Sequence, residues 1–234
     1  MPNSTTIENK SVYWEKGQHD QLLVLVFNSD FRTPLSERRP HEFFELTERL
    51  KCSRIHCVDR KFVFYHDGLD EKHPSIRSSA ALLRELIHGL APKVTIVLGA
   101  SSGAYAALVF GHLLGLDHVH AFGPVTCVLP DYMKEHAQED SESRWQRYHA
   151  LWKSPNADWG LFDLAKVLKD YNGHTKYYLH YCGGYDRDRL ASERVSGLPG
   201  VTMCPYDCNH HYVVVHMHRE NILKRLFPIG RSGN

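Results

Sequence analysis

Two serines stand side by side in Gly99-Ala100-Ser101-Ser102-Gly103, between the β-branched run Val94–Leu98 and the mostly apolar stretch Ser102–Leu114. The pattern is G-x-S-x-G, with a strand expected before it and a buried helix after it. A hydroxyl at the tip of such a turn projects above the sheet. The residues two positions away must be small, because strand and helix approach closely there. Ser101 has a glycine on each side at that spacing, whereas Ser102 has Ala100 and Ala104. Ser101 is therefore the expected nucleophile. Ser102 is the expected donor of a backbone N–H at the helix start, where developing negative charge is favoured. A tight turn without chemistry is the plain alternative.

A serine hydroxyl needs a base, and the base needs an acid to orient it. In a strand–turn–helix arrangement of this kind the chain order is Ser, Asp or Glu, His. After the run Lys176–Tyr181 comes "CGGYDRDRL", in which Asp186 follows a Gly-Gly turn at a strand's C-terminal end, the edge where open α/β sheets build their sites. Asp186 is the expected acid, with Asp188, further into the following helix, as its competitor. After Val201–Pro205 comes "YDCNHHYVVVHM". His211, close to the start of the last helix, is the expected base, and His210 is the alternative. A second oxyanion donor is expected from "VFNSDFRTP" after the run Leu22–Phe27, from the N–H of Ser29, Asp30 or Phe31.

The elements that must hold these residues alternate. Strands are expected at Leu22–Phe27, Arg54–Val58, Val94–Leu98, His118–Phe122, Lys176–Tyr181 and Val201–Pro205, with a weaker one at Ser11–Trp14. Helices are expected at His41–Leu50, Ser75–Leu90 (Ser75 as cap), Ser102–Leu114, Trp159–Tyr171, Arg187–Val195 and Tyr212–Leu226. Several strand runs are apolar throughout, as strands covered on both faces are. This predicts an α/β domain with a mostly parallel central sheet flanked by helices on both faces. The 234 residues fit a single domain, 1–234. The polar stretch Leu129–Asn156, with "EDSES", Trp145, Tyr148 and Trp152, reads as a helical insertion: a lid over the site or a surface excursion.

The net charge of +1 argues against a general electrostatic grip on nucleic acid or on an anionic membrane. The N-terminal "MPNSTTIENK" lacks the apolar core of a signal peptide, and no apolar run reaches the length of a spanning helix. A cytoplasmic location is expected. The six cysteines, Cys52, Cys57, Cys127, Cys182, Cys204 and Cys208, then read as buried free thiols. Seventeen histidines invite a metal reading, notably His118/His120, His216/His218 and Cys204/Cys208 near His210/His211. No CxxC pair, HExxH or closed four-ligand spacing supports it, so no metal is expected.

Over roughly residues 11–228 the chain resembles α/β-hydrolase-fold proteins, on the Ser101 elbow, Asp186 after a late strand and His211 before the last helix. "VDRKFVFYHDGLD" (Val58–Asp70) and "GASSGAYAAL" are similar to a bacterial subgroup in which an Asp and an aromatic-Tyr pair precede the elbow, although a second glycine is expected there where Ala104 stands. The resemblance implies acyl chemistry on a small-molecule ester, thioester or amide, through an acyl-enzyme and without a cofactor. A serine hydrolase is the first expectation. Acyl transfer to another alcohol or amine by the same triad is the second. A scaffold that keeps the fold without turnover is the third, since fold alone does not fix function. The absence of an HGGG segment argues against a typical lipase.

Overall fold

The computed structural model describes residues 4–6, 11–29, 42–136, 141–171 and 173–227. Eight strands form one sheet: β1 Ser4–Thr6, β2 Val12–Glu15, β3 His19–Phe27, β4 Cys52–Cys57, β5 Val94–Ala100, β6 His118–Phe122, β7 Lys176–Cys182 and β8 Val201–Tyr206. Their order is β1-β2-β4-β3-β5-β6-β7-β8. β1 and β2 are antiparallel to their neighbours, and every pairing from β4 across to β8 is parallel. The parallel part brings the C-terminal ends of β3, β5, β6, β7 and β8 to one edge, where the loops that follow them can meet.

The helices are α1 Phe44–Leu50, α2 Ile76–Leu90, α3 Ser102–Leu114, α4 Pro130–His136, α5 Glu142–Lys153, α6 Leu164–Val167, α7 Asp186–Glu193, α8 Val213–Arg219 and α9 Ile222–Leu226. The central strand β3 shows why the sheet is covered on both faces. Leu23, Leu25 and Phe27 belong to the core shared with α2 and α3, while Val24 and Val26 face the opposite core, closed by α1, α8 and α9. A period of two with apolar residues at both phases has no face to give to water. Helix α3 is buried from Gly103 to Gly111, as its uniformly apolar sequence requires. Ser75 caps α2 by accepting the Ser78 N–H, and Ser78 returns the bond in a capping box. No helix among the described residues is long and apolar enough to cross a membrane.

The sequence expectations differ from the structure in several places, beginning with β1 and the early start of β3 at His19, neither of which was expected. Helix α1 starts at Phe44, three residues later than expected, with Phe43 in a left-handed conformation; His41 lies outside the described residues. The expected helix Trp159–Tyr171 is a 3₁₀ turn, Trp159–Leu161, followed by the short α6. Asp158 caps the first piece and Asp163 the second, so the chain restarts where apolar periodicity alone reads as continuous. The last helix divides at Asn221, whose φ of 55° separates α8 from α9. Finally, Cys182 and Cys208 are joined as a disulfide rather than free, while Cys52, Cys57, Cys127 and Cys204 are free. Cys182 ends β7 and Cys208 follows its neighbour β8, so the pairing of the two strands brings their Cα atoms to 4.8 Å.

Candidate active site

The turn from β5 into α3 puts Ser101 at φ 51°, ψ −117°, a conformation that costs a side-chain-bearing residue energy. It is held there by hydrogen bonds on both sides. The Ser101 N–H donates to the Phe122 carbonyl of β6 at 2.9 Å, and the Ser101 carbonyl accepts from Ala104 at 3.0 Å. The flanking glycines are compelled by space: a Cβ on Gly99 would stand 2.1 Å from the Gly103 carbonyl oxygen, and one on Gly103 would stand 2.2 Å from that of Phe27. These contacts are the physical content of the small–x–Ser–x–small spacing.

The hydroxyl so presented lies 2.9 Å from Nε2 of His211. The other ring nitrogen of His211, Nδ1, lies 2.9 and 3.0 Å from the two carboxylate oxygens of Asp188. Asp188 is therefore the acid that the structure brings to the histidine, and the expectation of Asp186 is corrected. Asp186 opens α7 with its side chain 78% exposed, paired with Arg189 at 2.7 Å across one helical turn. Asp188, two residues on, lies about 200° further around the helix. That rotation turns it inward, where its side chain is 2% exposed. His210 does not reach Ser101 either; its Nδ1 lies 3.8 Å from the Cys182 sulfur. Cys182, Cys208 and His210 are close enough together to be read as a metal-ligand group, but both sulfurs are already bonded to each other.

Several bonds fix the loop that carries His211. The Gly183 N–H donates to the Tyr206 carbonyl, the Gly184 N–H to the Cys208 carbonyl, and the disulfide closes the same corner. Gly123, at the end of β6, packs directly beneath the pair. A Cβ there would stand 3.0 Å from Asp188 Oδ2 and 3.2 Å from His211 Cε1, and φ is +55°. The sequence reading did not single out Gly123. Its signal was available: a glycine that immediately follows a strand on the site edge.

Ser102 is the first residue of α3, so its N–H has no acceptor within the helix and stands beside Ser101. Ser29 also lines the cleft with Ser101 and His211, but its N–H is engaged: it donates to Glu42 at 3.0 Å, and its hydroxyl donates to the other Glu42 oxygen. The expectation that Ser29 offers an N–H to an oxyanion is corrected accordingly. Asp30 and Phe31 lie outside the described residues. Glu42 was missed because its bond to Ser29 spans residues with no local pattern. Burial lifts its carboxyl above the ordinary range, partly offset by the two bonds from Ser29.

The segment after β4 supports the loop after β3. Asp59 accepts the N–H of Lys61 and of Tyr65, and burial lifts its carboxyl to about 6. The Tyr65 hydroxyl donates toward the carbonyls of Asn28 and Cys57, at 2.8 and 2.9 Å. The Asn28 side chain ties the same strand ends together through the Cys57 carbonyl and the Glu42 N–H.

Above Ser101 lies a narrow cleft, open to solvent. Phe62, Phe64, Val125 and Tyr148 give it apolar walls, and Arg144, Arg147 and Arg187 also line it. Arg144 and Arg147 come from α5, within the insertion between β6 and β7.

No family model matches the sequence, and no curated protein matches it either. Solved structures do resemble the fold. Brefeldin A esterase, a bacterial homologue of human hormone-sensitive lipase, superposes with a TM-score of 0.62 at 11% identity, over 97% of this chain and 74% of that one. The capsule O-acetyltransferase of Neisseria meningitidis serogroup A, in complex with CoA, gives 0.60 at 14%, over 91% and 90%. MenH from S. aureus gives 0.57 at 13%, over 92% and 96%. Strand order and these likenesses agree on the architecture: the chain has the α/β-hydrolase fold.

Proposed function

We propose that the chain is a serine hydrolase that cleaves an ester or thioester through an acyl-enzyme. The observation that carries this reading is the continuous line of hydrogen-bond distances from Asp188 through His211 to the Ser101 hydroxyl. As Ser101 Oγ bonds to the acyl carbon, its proton passes to His211 Nε2. Asp188 keeps the Nδ1–H in place and stabilises the imidazolium that results. The carbonyl oxygen becomes an oxyanion, stabilised by the Ser102 N–H at the α3 N-terminus. Collapse of this intermediate breaks the bond to the leaving alcohol or thiol, which takes the proton from His211. Water, deprotonated by the same histidine, then releases the acid and restores Ser101.

A fluorophosphonate probe tests the reading. Labelling of the unmodified protein that disappears in Ser101→Ala and persists in Ser102→Ala supports it. Folded protein that takes no label favours a non-catalytic scaffold. The likeness to an O-acetyltransferase favours one second reading, transfer of the acyl group to an acceptor alcohol. Product partition between water and an added alcohol separates the two: a rise in transfer that saturates with alcohol marks an acceptor site.

A further inference from the structure

We propose that Cys182, Cys208 and His210 form a thiol-gated site for one Zn²⁺ ion, closed while the two sulfurs are joined and opened when a dithiol reduces them. The site rests on no part of the serine-hydrolase reading. The two Sγ atoms and a ring nitrogen of His210 all lie within 4.8 Å of one another. Two thiolates and an imidazole suit zinc, whereas calcium and magnesium take oxygen ligands. His210 Nδ1 lies 3.8 Å from the Cys182 sulfur. A sulfur and a nitrogen on one tetrahedral zinc stand roughly 3.6 Å apart, given Zn–S of about 2.3 Å and Zn–N of about 2.1 Å. The proposed acyl chemistry leaves His210 free for this role, because His211 is the ring that reaches Ser101.

The backbone holds this arrangement without help from the disulfide. Cys182 ends β7 and pairs in register with Tyr206 of β8. The Gly183 N–H donates to the Tyr206 carbonyl at 2.8 Å, the Gly184 N–H to the Cys208 carbonyl at 3.0 Å, and the Cys208 N–H to the Tyr206 carbonyl at 2.9 Å. These bonds bracket both cysteines, so their Cα atoms, 4.8 Å apart, stay close when the sulfurs part. An ion that meets a preorganised frame has less chain to order. Cys182 lies in the core, while Cys208 and His210 are half-buried, which gives the ion a way in from solvent. Reduction carries two electrons and two protons from the dithiol, which closes to its own disulfide, and leaves two thiols on the chain. Zn²⁺ then displaces both thiol protons to solvent and forms two Zn–S bonds and one Zn–N bond, with water in the fourth position. Two thiolates balance the charge of the ion, so the partly buried complex carries no net charge. His210 adjoins His211 in the chain, so the ion ties down the same corner that the disulfide closes.

Cobalt tests the site, because thiolate-bound Co²⁺ shows a charge-transfer band in the near ultraviolet and tetrahedral Co²⁺ shows d–d bands in the red. The full chain is reduced with a water-soluble phosphine, freed of metal and titrated with Co²⁺ without oxygen. Both bands should grow to one equivalent and bleach when one equivalent of Zn²⁺ is added. Protein oxidised to the disulfide should show neither band. Cys208→Ser and His210→Gln should each weaken Co²⁺ binding by about tenfold or more. Cys204→Ser, which removes a free thiol of β8 outside the cluster, should bind Co²⁺ as the unmodified protein does. Reduced, folded protein without the charge-transfer band overturns the proposal, as do bands in the oxidised protein or unchanged affinity in folded Cys208→Ser or His210→Gln. If those variants do not fold, alkylation of the reduced unmodified protein, mapped by mass spectrometry, decides in the same way. One equivalent of Zn²⁺ should slow modification of Cys182 and Cys208 and leave that of Cys204 unchanged; equal protection of all three, or of none, overturns the site.

Discussion

Asp188 and His211 meet through both carboxylate oxygens, at 2.9 and 3.0 Å from Nδ1, although 23 residues separate them and Asp186 stands closer to the strand end. A carboxylate so placed fixes the tautomer in which Nε2 is free to accept the Ser101 proton. Asp188→Asn should therefore lower kcat on a p-nitrophenyl ester by on the order of 10⁴-fold with the fold intact. Asp186→Asn, at an exposed position, should change kcat less than about threefold. Steady-state kinetics on both variants decide; a large loss in Asp186→Asn would refute the assignment.

Gly123 supports that pair from below, and space there is tight. In Gly123→Ala the new methyl meets Asp188 and His211 at 3.0 and 3.2 Å, and the backbone stays at φ +55°. Displacing the imidazole by a fraction of an ångström should cost up to about 10²-fold in kcat. Stability should fall by about 1 kcal/mol or more, because alanine pays for positive φ. A variant with native kcat would mean that the pair tolerates displacement.

The tight strand-to-helix turn at Ser101 and a histidine near it were legible because they rest on local constraints: Gly99 and Gly103 are small where strand meets helix, and His211 sits just before a helix. The choice between Asp186 and Asp188 was not legible, because it turns on the phase of α7 relative to a histidine on another loop. The sheet was readable from its apolar runs, whereas the division of Trp159–Tyr171 was hidden by side-chain caps from Asp158 and Asp163. The Ser29–Glu42 bond and the Cys182–Cys208 disulfide are contacts between segments that only the assembled sheet edge brings together.

Acid should destabilise the fold through buried histidines. His66 Nδ1 accepts the Asp158 N–H at 3.1 Å, so Nε2 carries the proton toward the Tyr105 hydroxyl, 2.9 Å away. Burial lowers its pKa to about 4, from 6.5. Burial likewise lowers His120 to about 4 and His180 to about 3, in the stacked pair on β6 and β7. Between the two pKa values the unfolded chain binds a proton that the folded chain refuses. Stability is thus complete above about pH 6.5 and is lost as pH falls toward 4. At about 1.4 kcal/mol per unit, His66 alone accounts for roughly 3 kcal/mol. Asp59, lifted to about 6, acts in the opposite sense over the same window, so a variant comparison isolates the histidine. Urea unfolding at pH 7 and pH 4.5 should show a smaller pH difference in His66→Gln than in the unmodified protein. An unchanged difference would remove His66 as a source.

Ser101 itself sits in a strained backbone conformation. Its φ of 51° and ψ of −117° match the first central position of a type II′ turn, which glycine occupies freely and other residues resist. Two substitutions remove the hydroxyl and differ in backbone freedom. Ser101→Ala keeps the strain, while Ser101→Gly relieves it at the cost of some chain entropy in the unfolded state. Strain at such positions is worth about 1–3 kcal/mol and the entropy penalty about 0.5–1 kcal/mol, so Ser101→Gly should be the more stable of the two by about 1 kcal/mol. Neither variant should take fluorophosphonate. Chemical denaturation of the pair measures the difference directly; equal stabilities would show that the elbow stores no strain at Ser101.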